Sequence, residues 1–195
     1  MGTADDYSEV TVRSRQEWRD WLAAHHEDAP GVWLVTYKKA SGGPHVSYDD
    51  TVREALCFGW VDSQPRKVDD ERSARLMTPR KSTSRWSKAN KARIADLEAQ
   101  GLLAPAGEAA VAAARANGAW SALDDVEALV EPDDLAAALD AVPAARRSWD
   151  GFPPSARRGI LEWILDAKRP ATRQRRIAET VDEAAEGRRA NRWPR

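Results

Sequence analysis

Cations, hydroxyl groups and one indole are concentrated between Thr78 and Lys91, the stretch of the chain most suggestive of binding chemistry. We predict that a helix begins at Ser84, because its side chain can cap the backbone and the following residues keep one helical face. A helix N-terminus presents free backbone N–H groups and a positive dipole end, so anions bind there readily. The alternative is that Ser84 only caps, the indole packs and the cations are solvated. The candidate ligand-binding residues of this stretch are Arg80, Lys81, Ser84, Trp86, Ser87 and Asn90.

A second basic stretch surrounds Pro170, where the last helix is expected to begin. Asp62, at the end of a predicted strand, is the acidic candidate and would orient Arg80 or Arg173. Arginine is well suited to planar, two-pronged recognition of carboxylate or phosphate groups. The leading hypothesis is therefore a noncatalytic protein in which both stretches hold an anionic small molecule or an acidic protein partner. The second stretch contributes the candidate ligand-binding residues Lys168, Thr172 and Arg173.

Little in the chain points to catalysis. It carries one Cys and three His, and it lacks the common nucleotide-binding, serine-nucleophile and zinc-protease motifs. Cys57 has apolar neighbours and no adjacent cation, which predicts a buried, inert thiol. We therefore predict no catalytic residue, no metal site and no cofactor. The open alternative is an enzyme acting on a phosphorylated or carboxylated small molecule, with Asp62 as base and Arg80 as anion clamp.

Charge alternates along a chain of 195 residues whose formal net charge is only −1. Residues 63–93 carry ten Lys and Arg against three Asp and Glu, whereas residues 94–150 carry three against eleven. The near-zero total argues against nucleic-acid binding, and the opposite charges can also neutralise each other within the fold. Neither a signal peptide nor an apolar run long enough to cross a membrane is evident, which predicts a cytoplasmic protein. The oligomeric state stays undetermined.

Nine tryptophans in so short a chain indicate a folded core. Large exposed aromatic surfaces mark interfaces, so exposure of Trp149 or Trp193 would favour one more possibility. In that case the protein would be structural, or would dock a partner.

The periodicity of apolar residues predicts an α+β protein, with a small antiparallel β-sheet and N-terminal helices followed by an all-helical C-terminal half. About three strands are expected, over residues 32–38, from Trp60 and over residues 74–78. An acidic connector, residues 121–131, separates a mixed region, residues 12–120, from a helical region, residues 132–190. Helix starts are expected at Ser14, Ser47, Ser84, Pro105, Pro132, Pro154 and Pro170.

Several longer strings of residues resemble the YdeI/OmpD-associated family. They cover residues 54–63, 78–81, 84–87 and 90–91, and the stretch from Pro153 to Ile177 resembles that family's helical, OmdA-like bacteriocin-protection module. The resemblance implies a bacterial protein connected with protection against bacteriocins or envelope stress, and it brings no reaction, cofactor or catalytic residue. It also implies that Asp62, Arg80, Trp86, Ser87, Asn90, Lys168, Thr172 and Arg173 are family hallmarks.

Overall fold

The computed structural model describes residues 6–191. The chain divides between Ser121 and Ala122 into two compact units, here called the N-terminal unit and the C-terminal unit. The N-terminal unit combines a four-stranded sheet with helices, and the C-terminal unit is helical. This confirms the predicted α+β class with its helical second half. Among the described residues, no helix has both the length and the apolar character needed to cross a bilayer.

The sheet of the N-terminal unit has the strand order β1-β2-β4-β3. The pairs β2–β4 and β4–β3 are antiparallel, as predicted, whereas the short edge strand β1 lies parallel to β2, so the sheet is mixed. The elements are β1 (Glu9–Thr11), α1 (Arg15–His25), β2 (Val32–Tyr37), α2 (Tyr48–Cys57), β3 (Trp60–Lys67), β4 (Arg72–Pro79), α3 (Lys88–Ala99) and α4 (Pro105–Asn117).

Alternation along the strands gives the sheet two different faces. Leu34 on β2 and Met77 on β4 belong to the main core, which also buries Trp18, Leu22 and other side chains of α1 and α2. Trp33, with Val35, Ala74 and Leu76, forms a smaller cluster on the other face. Cys57 is fully buried, as predicted, and burial raises the pKa of its thiol, although the nearby guanidinium of Arg19 acts in the opposite direction. That the thiol is inert stays a prediction.

The C-terminal unit buries one side of each of its longer helices. Its core contains Leu135, Leu139, Ile160 and Ile164, and Trp149 is fully buried. Trp149 therefore offers no exposed aromatic surface, and Trp193 lies outside the described residues. The helices are α5 (Asp124–Glu127), α6 (Asp133–Asp140), α7 (Pro143–Gly151), α8 (Pro154–Leu165) and α9 (Pro170–Ala185).

The predicted start of α3 at Ser84 is wrong. Ser87 is the N-cap instead, and its hydroxyl accepts a hydrogen bond from the backbone N–H of Asn90 at 3.3 Å. Residues 80–86 form a loop that Asn117 holds through a 2.8 Å hydrogen bond to the Ser82 carbonyl. The helix is delayed because this loop carries Trp86 into the core, where it is 1% exposed.

Candidate anion-binding site

Arg80 follows the last residue of β4, and its backbone is fixed there. Its N–H donates to the carbonyl of Gly59 at 2.9 Å, at the point where the chain enters β3. The guanidinium carbon lies 3.7 Å from the centroid of the Trp86 ring. Trp86 in turn packs against Trp120, with ring centroids 5.1 Å apart. The Arg80 guanidinium is thus stacked on a buried indole that cannot easily move.

The guanidinium of Arg80 is only partly satisfied. Its Nη2 donates to the Arg85 carbonyl, but Nε and Nη1 are buried and have no hydrogen-bond partner in the described part of the chain. Burial disfavours the charged form and lowers the pKa of Arg80 to about 10, while the negative charge of Asp62 acts in the opposite direction. Buried unpaired donors are rare in folded proteins, so this group requires an explanation.

Asp62 lies on β3 opposite Met77, and one oxygen of its carboxylate is already engaged. Its Oδ2 accepts hydrogen bonds from the Tyr48 hydroxyl at 3.0 Å and from Nη1 of Arg75 at 3.3 Å. Burial and the negative charge of Asp62 raise the pKa of Tyr48, so this hydroxyl keeps its proton. Asp62 therefore orients Arg75 directly, whereas it influences Arg80 through its charge alone.

The other candidates of the first basic stretch have local roles. Lys81 is exposed, and its carbonyl accepts the backbone N–H of Ser84 at 2.9 Å, which closes a turn. Ser87 caps α3, and Asn90 accepts a hydrogen bond from Nη1 of Arg93 at 2.9 Å. The structure thus brings Arg80 and Trp86 into direct contact, while the hydroxyl of Ser87 caps the helix and the side-chain oxygen of Asn90 is bound by Arg93.

The candidates of the second basic stretch lie at the start of α9 in the C-terminal unit. Lys168 is exposed and Thr172 is half-buried. Arg173 forms a bidentate salt bridge with Asp134, in which Nε and Nη2 donate to the two carboxylate oxygens at 2.7 and 2.8 Å. This contact lowers the pKa of Asp134. The planar recognition expected of Arg173 is therefore already used by a carboxylate of its own unit.

Two residues beside Asp62 were missed by sequence reasoning. Tyr48 was assigned only to a helix start, and Arg75 only to a strand, yet both bind the Asp62 carboxylate. The only signal for Arg75 is strand alternation, which places it on the same face of β4 as Ser73. Tyr48 has no comparable signal, because its contact depends on how α2 packs on the sheet. In the part of the chain that the structure describes, no cluster of His, Cys, Asp and Glu could hold a metal ion.

Comparisons with known families divide the chain in two. A family model described as a domain of unknown function, DUF8412, matches residues 10–110, and a model described as "Bacteriocin-protection, YdeI or OmpD-Associated" matches residues 128–187. A comparison with curated proteins found no match, and a comparison with solved structures found none either. The chain therefore belongs to the family of DUF8412 proteins, which its model matches over about half of the length, and its residues 128–187 form a region of the bacteriocin-protection, YdeI/OmpD-associated type.

Proposed function

We propose that this protein is a noncatalytic binding protein whose N-terminal unit holds an anionic group at Arg80. The observation that carries the proposal is the pair of buried, unpartnered N–H groups on a guanidinium stacked over Trp86. A phosphate or carboxylate oxygen is the partner that each of these two donors fits best, because a charged guanidinium N–H makes its strongest hydrogen bonds to anionic oxygens.

The energetics favour a binding role over a purely structural one. Each buried donor without a partner destabilises a fold by about 1–3 kcal/mol, and a buried charge adds a desolvation cost. Stacking of the guanidinium on an indole stabilises the fold by about 0.5–2 kcal/mol. This gain does not offset the cost of the two unpartnered donors together with the desolvation of the charge. A bound anion would satisfy the donors and neutralise the charge. Because both nitrogens are shielded from solvent, the anion gains access through a local opening of this region.

The same geometry favours binding over the enzyme alternative. A general base must have a carboxylate free to accept a substrate proton. The Oδ2 atom of Asp62 already accepts hydrogen bonds from Tyr48 and Arg75. We therefore assign Asp62 a positioning role for these neighbours.

The biological setting of the proposal comes from the family description. The model that matches residues 128–187 is named for bacteriocin protection. We propose that anion binding by the N-terminal unit serves a protective response of this kind, to a bacteriocin or to envelope stress. The recognised anion belongs either to a small molecule or to an acidic protein partner, and both carry the same carboxylate or phosphate chemistry. Lys168, Thr172 and Arg173 stay predicted contributors to ligand binding.

The test is the thermal stability of the full chain with inorganic phosphate or acetate, against chloride at equal ionic strength. A ligand that binds only the folded state stabilises it by about 2.7 kcal/mol at 100 times its dissociation constant. We expect at least one of these anions to raise the melting temperature, and Arg80→Met to remove that increase.

Arg115→Met is the matched control. Arg115 also lies over a tryptophan, with its guanidinium carbon 4.8 Å from the Trp120 centroid, but it is paired with Glu98. This variant should keep the anion-induced increase. An equal increase in Arg80→Met, with circular dichroism showing it folded, would reject the proposal, as would the same melting temperature in phosphate, acetate and chloride.

A further inference from the structure

A small cleft on the N-terminal unit lies apart from the unpartnered nitrogens of Arg80. It has a volume of about 160 Å³ and lies on the sheet face that carries Leu34. Leu34 of β2 is paired with Arg75 of β4, and Thr36 with Ser73. These four residues therefore lie on the same face of the sheet and form the floor of the cleft. Its side chains therefore come from two central strands, whose positions the hydrogen-bonded register fixes.

The charge of the cleft is one-sided. Arg75 and Lys38 line it, and no Asp or Glu is among its lining residues. The side-chain hydrogen bonds of Arg75 to Asp62 and to the Ser63 carbonyl both use Nη1, at 3.3 and 3.4 Å. The Arg75 side chain is 32% exposed, so Nε and Nη2 remain available to a ligand. A cleft with a free guanidinium edge and no acid favours a negatively charged ligand.

The walls of the cleft are aromatic. His45 and Tyr48 are among its lining residues, and Tyr48 is 50% exposed. The ring of His45 is held by a 2.7 Å hydrogen bond between its Nδ1 and the Tyr37 carbonyl. A carbonyl oxygen only accepts, so Nδ1 carries the proton. Planar walls fixed in this way suit a planar apolar group, because aromatic rings prefer stacked or edge-on neighbours.

The size of the cleft limits the ligand to about one ring. An engineered protein cavity of about 150 Å³ holds a benzene molecule, and the cleft has a similar volume. We propose that this cleft binds an aromatic carboxylate with a single ring, with the carboxylate on Arg75 and the ring beside His45 and Tyr48. This site is additional to the anion site at Arg80, and neither proposal depends on the other.

Benzoate is the probe, titrated into the ¹⁵N-labelled full chain while amide chemical shifts are recorded. We expect saturable shifts at residues around the cleft, which persist in Arg80→Met. Loss of a charged hydrogen bond corresponds to about a tenfold loss of affinity, so Arg75→Met should weaken binding by about tenfold or more. Ser73→Leu should abolish the shifts by filling the cleft while leaving the remaining spectrum folded.

Arg66→Met provides the matched control. Arg66 lies on the neighbouring strand β3, pairs with Glu9 and stacks over Trp33, with its guanidinium carbon 4.1 Å from that ring. Trp33 belongs to the cluster on the opposite face of the sheet, so this variant should bind benzoate normally. Arg80→Met should also bind benzoate normally, which separates this proposal from the first one.

Three results would overturn the cleft as a carboxylate site. The first is an absence of saturable shifts with the unsubstituted protein. The second is unchanged benzoate affinity in both folded variants, Arg75→Met and Ser73→Leu. The third is equal affinity for benzamide, which has the same ring and no charge, because the guanidinium of Arg75 would then contribute nothing to recognition.

Discussion

Arg146 of the C-terminal unit and Arg80 of the N-terminal unit differ in how their guanidinium groups are satisfied. In the C-terminal unit, Arg146 donates from both terminal nitrogens to Glu131, at 2.6 and 2.8 Å, and also pairs with Asp150. In the N-terminal unit, Arg80 stacks on Trp86 and leaves two buried nitrogens without partners. The C-terminal unit has a single buried nitrogen of this kind among its described residues, Nε of Arg157. A paired guanidinium stabilises a fold, whereas an unpaired one retains its capacity to bind.

The N-terminal unit does form ion pairs with other arginines. Its Glu54, 1% exposed, accepts hydrogen bonds from the guanidinium groups of both Arg15 and Arg19. Arg80 instead has the Asp62 charge nearby, while that carboxylate binds Tyr48 and Arg75. The unit therefore satisfies one buried carboxylate with two arginines and leaves another arginine unsatisfied. This selectivity is what points to a site at Arg80.

Breaking the paired contact should have the largest effect. Glu131 also accepts a 2.6 Å hydrogen bond from Nε1 of the fully buried Trp149. Glu131→Ala would leave that donor and Arg146 without their main partner, so we expect the free energy of unfolding to fall by about 3 kcal/mol. Denaturant unfolding measures the loss, and amide hydrogen exchange over residues 133–185 should locate it in the C-terminal unit.

Asp140→Ala is the control for that measurement. Asp140 lies 3.8 Å from Arg146 and is 68% exposed, so its removal should change stability by less than about 0.5 kcal/mol.

The hydrogen bonds from Arg146 lower the pKa of Glu131 below the ordinary value of 4.5. A carboxyl group with a lowered pKa contributes stability above pH 4.5 and loses it as the pH falls through its folded-state value. The stability difference from Glu131→Gln should therefore shrink in acid.

Replacing the unpaired arginine should have the opposite sign. Arg80→Met keeps the length of the side chain and removes two unsatisfied donors and a buried charge. We expect the free energy of unfolding without ligand to rise by about 1 kcal/mol, after the loss of stacking on Trp86. Arg173→Met, which removes the pair with Asp134, should lower it by up to about 1 kcal/mol. A loss of stability in Arg80→Met would show that the stack is structural and would remove the contrast.

Sequence reasoning succeeded where the determining contacts are local. The starts of α1 and α2 follow from the side chains of Ser14 and Ser47, which accept hydrogen bonds from backbone groups three residues ahead. It failed for α7, whose start at Pro143 was not recognised, and for the parallel pairing of β1. The pairing of β1 depends on packing between segments that are distant in the chain, and no short spacing encodes it. The start of α7 was overlooked although Pro143 is the same local signal that marks the starts of α4 and α8.

The candidate site shows the same limit. The basic stretch around Arg80 was identified from residue types, but its geometry differs from a simple helix N-terminus. The stack on Trp86 needs residues 80–86 as a loop, and the hydrogen bond from Asn117 to Ser82 fixes that loop from 35 residues away. The contacts of Asp62 with Tyr48 and Arg75 span 14 and 13 residues. Tertiary packing therefore decided which cation was left unpaired.

The smallest expected effect comes from comparing alanine substitutions of Ser84 and Ser87, which tests where α3 begins. Ser87 caps α3, so Ser87→Ala should lower the free energy of unfolding by about 1 kcal/mol. Ser84 lies in the loop, where its backbone N–H, unaffected by substitution, makes the turn to Lys81. Ser84→Ala should therefore change stability by less than about 0.5 kcal/mol. Equal losses in denaturant unfolding would mean that the helix extends to Ser84 in solution, and the loop that holds Arg80 against Trp86 would then not exist in that form.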